Sequence, residues 1–158
     1  MYQSHLDLTA QVRKGAVTLL QARLSDSVDL ETQMKQAHWN VKGQDFFQLH
    51  ELFDKIHGEV EEFVDLIAER IATLGGTADG RVRTAASESR LDEYPLDTRG
   101  GEAHLRAVAN ALAQFGKLVR EDIDKSNGLG DADTADIFTE ISRATDKQLW
   151  FVEAHLAP

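Results

Sequence analysis

The segment HWNVKGQDFFQLHELFD, residues 38–54, places His38, His50 and Asp54 around a break between two helical patterns. His50 and Asp54 are four apart, so on a helix they share a face and could hold one side of a metal ion. Asp65 and Glu69 repeat that spacing further along. Between Asp54 and Asp65 a helix completes about three turns with about 20° left over, so both pairs project from the same side. They nevertheless lie about 16 Å apart along the axis, too far for one ion. Both pairs are centred between Glu59 and Val60. A two-fold axis at that point would lay the helix antiparallel to its own copy and bring His50 and Asp54 opposite Glu69 and Asp65 of that copy, making two equivalent mixed sites. His38, beside the turn, can fold over His50. Two imidazoles and three carboxylates suit Fe(II) and also accept Zn or Mn. The alternative is that polar pairs on an acidic helix form only a solvated face. Trp39, next to His38, could quench a one-electron oxidant; otherwise it is a core or interface aromatic.

The elements that must position these residues are helices. Apolar steps of three and four predict a first helix over residues 6–39, ending near Asn40 and Gly43. A second is predicted over 45–74, closed by Gly75 and Gly76, and a third over 101–125, closed by Asn127 and Gly128. The fourth starts in GDADTAD, which supplies caps and favourable negative charge, and runs almost to the end. About 25 residues separate the second helix from the third, longer than a hairpin needs. They predict a crossover carrying a short helix near residues 87–92. The fold class is therefore all-α, a four-helix bundle with one long crossover, and residues 1–158 read as one domain.

Composition removes several chemistries. Cysteine is absent, which excludes disulfides, thiolate catalysis and sulfur-rich metal sites. No stretch approaches the roughly 20 apolar residues of a membrane span, and the N-terminus has no basic segment followed by an apolar run, so a soluble cytoplasmic protein is expected. With 17 Lys and Arg against 27 Asp and Glu, the formal charge is −10, the wrong sign for holding a polyanion.

The stretch HWNVKGQDFFQLHELFD, followed by Asp65 and Glu69, resembles the ferroxidase signature of the Dps family, the mini-ferritins named as DNA-binding proteins from starved cells. The likeness continues in DTADIFTEISRATDKQLWFVEAHL near the C-terminus. Glu-x-x-His, the mark of larger di-iron bundles, is missing, which separates this chain from the 24-subunit ferritins. The resemblance implies a ferritin-like bundle assembled as a hollow dodecamer, with two-iron centres at the two-fold interfaces. His38, His50 and Asp54 would come from one subunit, Asp65 and Glu69 from its neighbour. It implies oxidation of Fe(II) by hydrogen peroxide or oxygen, storage of Fe(III) mineral, and protection of the cell from oxidative damage.

By the same resemblance, the start of the last helix would line three-fold pores. Asp131 and Asp136 would form acidic rings there, with Asp133 and Glu140 as secondary candidates. Glu51 would help nucleate mineral. His5, His57, His104 and His155 match no ligand position and are expected in surface or packing roles. A DNA-compacting, nucleoid-associated protein of the same family is the alternative. It is disfavoured because the first 14 residues carry only Arg13 and Lys14 as basic side chains and the end AHLAP carries none. Twelve copies would bear roughly −120 in charge, so DNA binding is expected to be weak or absent.

Overall fold

The computed structural model describes residues 1, 2 and 4–157. Among them the secondary structure is all helical: α1 Ala10–Asn40, α2 Phe46–Thr73, α3 Val82–Glu88, α4 Gly100–Leu129 and α5 Ala132–Ala154. The Thr9 hydroxyl caps α1 by accepting from the Val12 N–H, so that helix starts four residues later than its apolar pattern suggests. α2 ends at Gly75, whose φ of 88° only glycine adopts without strain. α4 passes straight through Asn127 and Gly128 and stops at Gly130, φ 83°.

α1 pairs with α2, and α4 with α5, while α1 also packs on α4 and α2 on α5. Gly101 at the head of α4 lies against Leu49 at the head of α2, and Leu129 at its foot lies against Gly15 near the head of α1. α4 therefore runs antiparallel to α1 and parallel to α2. That direction requires the connection after α2 to travel the length of the bundle, and α1 guides it. Gln21 exchanges two bonds with the Asp79 backbone, at 3.0 and 2.9 Å. The Asp26 carboxylate accepts from the Arg90 N–H at 2.8 Å, and the Gln33 amide donates to the Asp92 carbonyl at 3.0 Å. The short helix expected near residues 87–92 lies earlier: its turns fall over Val82–Glu88, and the next residues open out to meet Asp26 and Gln33.

The interior is aliphatic and aromatic, with Phe53, Phe115 and Phe138 fully buried. Each contributes about 1.5–3 kcal/mol by leaving water. Several polar side chains are buried as well, the Arg23 cluster among them. Arg23 is completely buried, with Asp26 at 3.0 Å and Asp122 at 3.6 Å, so one guanidinium serves two carboxylates. Burial, reinforced by the negative charges of Asp29 and Asp122 and opposed by the Arg90 N–H, pushes the Asp26 carboxyl up to about 6.

The consequence for stability has a definite sign. The folded chain protonates Asp26 near pH 6, the unfolded chain near 3.8. The proton is held more tightly in the folded state, so this contribution is complete below about 3.8 and is lost as pH rises through 6. It amounts to about 3 kcal/mol. Chemical denaturation from about pH 4 to 7 should show this downward component in the wild type and lack it in Asp26→Asn; equal pH slopes would exclude Asp26 as its source.

Candidate metal centre

The break between α1 and α2 is built from Val41 to Asp45. Gly43 makes the turn at φ 123°, with open space around it. This reversal stacks the last turn of α1 on the first turns of α2 and brings His38 onto His50. Their rings lie 3.7 Å apart between centroids and 21° from parallel. Each ring bonds the other residue's backbone: His38 Nδ1 to the His50 carbonyl at 2.8 Å, and His50 Nδ1 to the His38 carbonyl at 2.9 Å. A carbonyl only accepts, so both Nδ1 atoms carry hydrogen. The lone pairs of the neutral rings are therefore on Nε2, the arrangement a metal-ligating imidazole requires.

Asp54 stands one turn beyond His50 and is half exposed, with His38 Nδ1 at 4.0 Å from its carboxylate. Its oxygen is taken by the Lys35 ammonium. The Lys35 hydrogen bond holds the Asp54 carboxyl below its ordinary value against the opposing desolvation, helped by the Lys35 charge and by His38 and His57 when they are protonated. The sequence reading did not include Lys35. Its position three residues before His38 is the signal that was available, since one helical turn brings both over the same stretch of α2.

α2 buries Leu49, Phe53, Ile56, Val60, Phe63, Ile67 and Ile71. This leaves Asp54, Asp65 and Glu69 exposed on its other side, with His50 half-buried at the margin. His38, His50 and Asp54 are brought together; Asp65 and Glu69 stand apart toward the far end of α2. Among the described residues no three His, Asp or Glu side chains converge within one chain to hold an ion. Around the histidines the surface is apolar and open: Trp39 and Phe47 are each 67% exposed, and the Phe46 ring lies 5.2 Å from that of His50.

The acidic head of α5 divides. Asp131 is 2% exposed and committed to structure: it caps the helix by accepting from the Thr134 N–H at 3.1 Å and hydroxyl at 2.6 Å, and Arg70 donates to it at 2.7 Å. Both of its oxygens are thus engaged within the chain. Asp133, with its side chain 83% exposed, has Arg70 at 3.7 Å. Asp136, Glu140 and Glu51 are exposed. Of the remaining histidines, His57 faces Glu31, with its Nδ1 3.4 Å from the Glu31 carbonyl and 3.9 Å from the carboxylate. His104 is buried against Tyr94, with its Nδ1 2.5 Å from the phenol oxygen.

Residues 17–158 match the family described as ferritin-like domain. The DNA protection during starvation protein of Agrobacterium fabrum is 40% identical over 150 residues, which span 95% of this chain and 93% of that protein. Among solved structures, DpsC from Streptomyces coelicolor superposes with a TM-score of 0.94 at 31% identity, covering 99% of this chain and 92% of that one. The tetragonal form of Mycobacterium smegmatis Dps gives 0.94 at 30% identity, covering 99% and 96%.

Lys35 competes with any cation for Asp54. In Lys35→Gln, which keeps the stem and removes the charge, Co(II) titrated into the metal-free protein should bind about fivefold more tightly. Unchanged or weaker binding would mean that Lys35 positions the carboxylate rather than blocking it.

Proposed function

The chain belongs to the ferritin-like family and, within it, to the Dps proteins, and on that premise we propose that it is a ferroxidase. In this reading it takes Fe(II) as substrate between two copies of itself, oxidises it and stores the ferric product. The observation that carries the reading is the reciprocal lock of His38 and His50. It fixes the tautomer of both rings and leaves a lone pair on each Nε2, with Asp54 one helical turn on from His50. Asp65 and Glu69 lie on the same exposed side of α2, at offsets that a two-fold axis between Glu59 and Val60 exchanges with Asp54 and His50. This donor set, two nitrogens and three carboxylate oxygens, fits Fe(II), with Zn and Mn as substitutes.

In the reaction two Fe(II) each lose one electron and one hydrogen peroxide gains both, taking up two protons to give two waters. Hydroxyl radical, the product of a one-electron reduction, is avoided. The protein's own part is to hold the two ions as a pair. The Nδ1–H bonds prevent either ring from turning, and the Lys35 ammonium must leave Asp54 as the cation arrives. Trp39, exposed beside His38, is placed to donate an electron to any stray one-electron oxidant. Oxygen is the other oxidant the same electron count allows.

The assembly in this reading is a hollow dodecamer of antiparallel dimers. Iron would reach its interior past Asp136, with Asp133 and Glu140 nearby on α5, and Glu51 would serve nucleation. No helix among the described residues is long and apolar enough to cross a membrane. A cytoplasmic site of action and protection from peroxide follow from this reading. The formal charge of −10 per chain argues against retention of DNA.

Stopped-flow oxidation of Fe(II), with hydrogen peroxide and oxygen at matched oxidising equivalents, tests the centre. His50→Ala with Asp54→Ala should assemble normally and lose about 10- to 100-fold or more in peroxide-driven rate. Wild-type rates in that variant would remove both residues from the mechanism. Asp136→Asn should slow iron uptake while leaving assembly unaltered; an unchanged uptake rate would reduce Asp136 to part of a helix head.

A further inference from the structure

The crossover lays a phenol on a buried imidazole. Tyr94 is 8% exposed and His104, near the head of α4, is 1% exposed. The phenol oxygen lies 2.5 Å from His104 Nδ1, and the rings are 6.0 Å apart between centroids. The other ring nitrogen, Nε2, faces the backbone carbonyl of Asn40, the last residue of α1. A carbonyl only accepts, so the hydrogen of the neutral ring is on Nε2 and Nδ1 presents a lone pair. The phenol therefore donates to Nδ1. Burial raises the Tyr94 hydroxyl far above its ordinary value. Burial also lowers His104, with the charge of Arg99 adding, although the Asn40 carbonyl favours the charged form. At rest both groups are neutral.

A phenol so placed has one route for its proton. Removing an electron alone would leave a cationic ring in apolar surroundings, an unpaired buried charge. With Nδ1 in contact, the proton crosses to the imidazole as the electron leaves, giving a neutral phenoxyl radical and an imidazolium. The imidazolium keeps a partner at each nitrogen: the phenoxyl oxygen at Nδ1–H and the Asn40 carbonyl at Nε2–H. It also lies at the C-terminal end of a 31-residue helix, the end that favours a cation. Arg99 opposes that charge, but from an exposed position where solvent screens it.

The pair adjoins a site of oxidation. Tyr94 lines, together with Trp39, a groove of about 670 Å³ between α1 and the crossover. The indole is 67% exposed, and Asn40 follows it directly in the chain. An electron crosses van der Waals gaps and a proton does not, so only the phenol and the imidazole need fixed contact.

We propose that Tyr94 and His104 form a proton-coupled redox pair, which gives an electron to one-electron oxidants reaching this end of the bundle, either hydroxyl radical or the oxidised indole of Trp39. In the step, Tyr94 loses one electron to the oxidant, its O–H bond breaks and an N–H bond forms at His104 Nδ1. Hydroxyl radical becomes hydroxide; an oxidised Trp39 returns to neutral indole. A one-electron reductant, Fe(II) in the iron reading, then reduces the phenoxyl radical, and the proton returns from Nδ1 to the oxygen. The pair goes beyond the iron reading and does not require it.

The test supplies the oxidant photochemically, as flash-generated ruthenium(III) tris(bipyridine), to the intact iron-free protein carrying Tyr2→Phe, so that Tyr94 is its only tyrosine. Transient absorption and electron paramagnetic resonance should show a tyrosyl radical, and none once Tyr94→Phe is added. Its formation should slow in heavy water, because a proton moves with the electron. In His104→Gln, which still offers the phenol an acceptor but is a far weaker base, formation should slow about 100-fold. Equal helical content by circular dichroism separates a lost base from a lost fold, and the heavy-water comparison stands on the unaltered pair. Absence of the tyrosyl signal, equal rates in ordinary and heavy water, or an undiminished rate in folded His104→Gln would overturn the proposal. With no iron present, the result is independent of whether the chain oxidises Fe(II).

Discussion

Helix α2 has one side to give to its own bundle, and that side is carbon. Leu49, Phe53, Ile56, Val60, Phe63, Ile67 and Ile71 fill it without a polar interruption. A di-iron centre inside a four-helix bundle needs carboxylates and histidines projecting inward from facing helices. Here the interior is taken by Phe53, Phe115 and Phe138 and by the Arg23 cluster, whose charge is already matched against Asp26 and Asp122. The remaining side of α2 carries Asp54, Asp65 and Glu69, open to whatever meets them. Chemistry on this helix is therefore placed outside the bundle by the requirements of the core.

The same constraint explains why the break at Val41–Asp45 is tightly specified. A site on a helix surface has no surrounding wall to hold its ligands, so order must come from local bonds. Two stacked rings bonded to each other's backbone provide it, using carbonyls at the end of one helix and the start of the next. Loss of either ring leaves one backbone carbonyl without its Nδ1–H donor and removes one of the two clamps across the turn. The turn and the histidine pair are thus one structural unit.

Fold class, the four main helices and the long crossover were legible in the sequence because apolar spacing reports which face of a helix is buried. Helix ends were less so. Thr9 and Gly130 end their helices through caps and a left-handed turn, whereas Asn127 and Gly128 read as a stop and are passed through because α5 packs alongside α4. The short helix lies earlier than expected because Asp26 and Gln33 draw residues 90 and 92 into extended backbone. His38, His50 and Asp54 were legible as neighbours by spacing alone. Lys35 on Asp54 and Arg70 on Asp131 were not, since each pair joins residues on different helices. Helical periodicity carries no information about which polar side chains meet across an interface.

Charge in this chain is distributed by role rather than averaged. Carboxylates are the majority and stand on the outer sides of α2 and α5, where they attract cations. Where acids are buried, each is tied to a definite cation: Asp26 and Asp122 to Arg23, Asp131 to Arg70. The corner beside Gly100 reverses the pattern: Lys42 and Arg99 line it and no acid does.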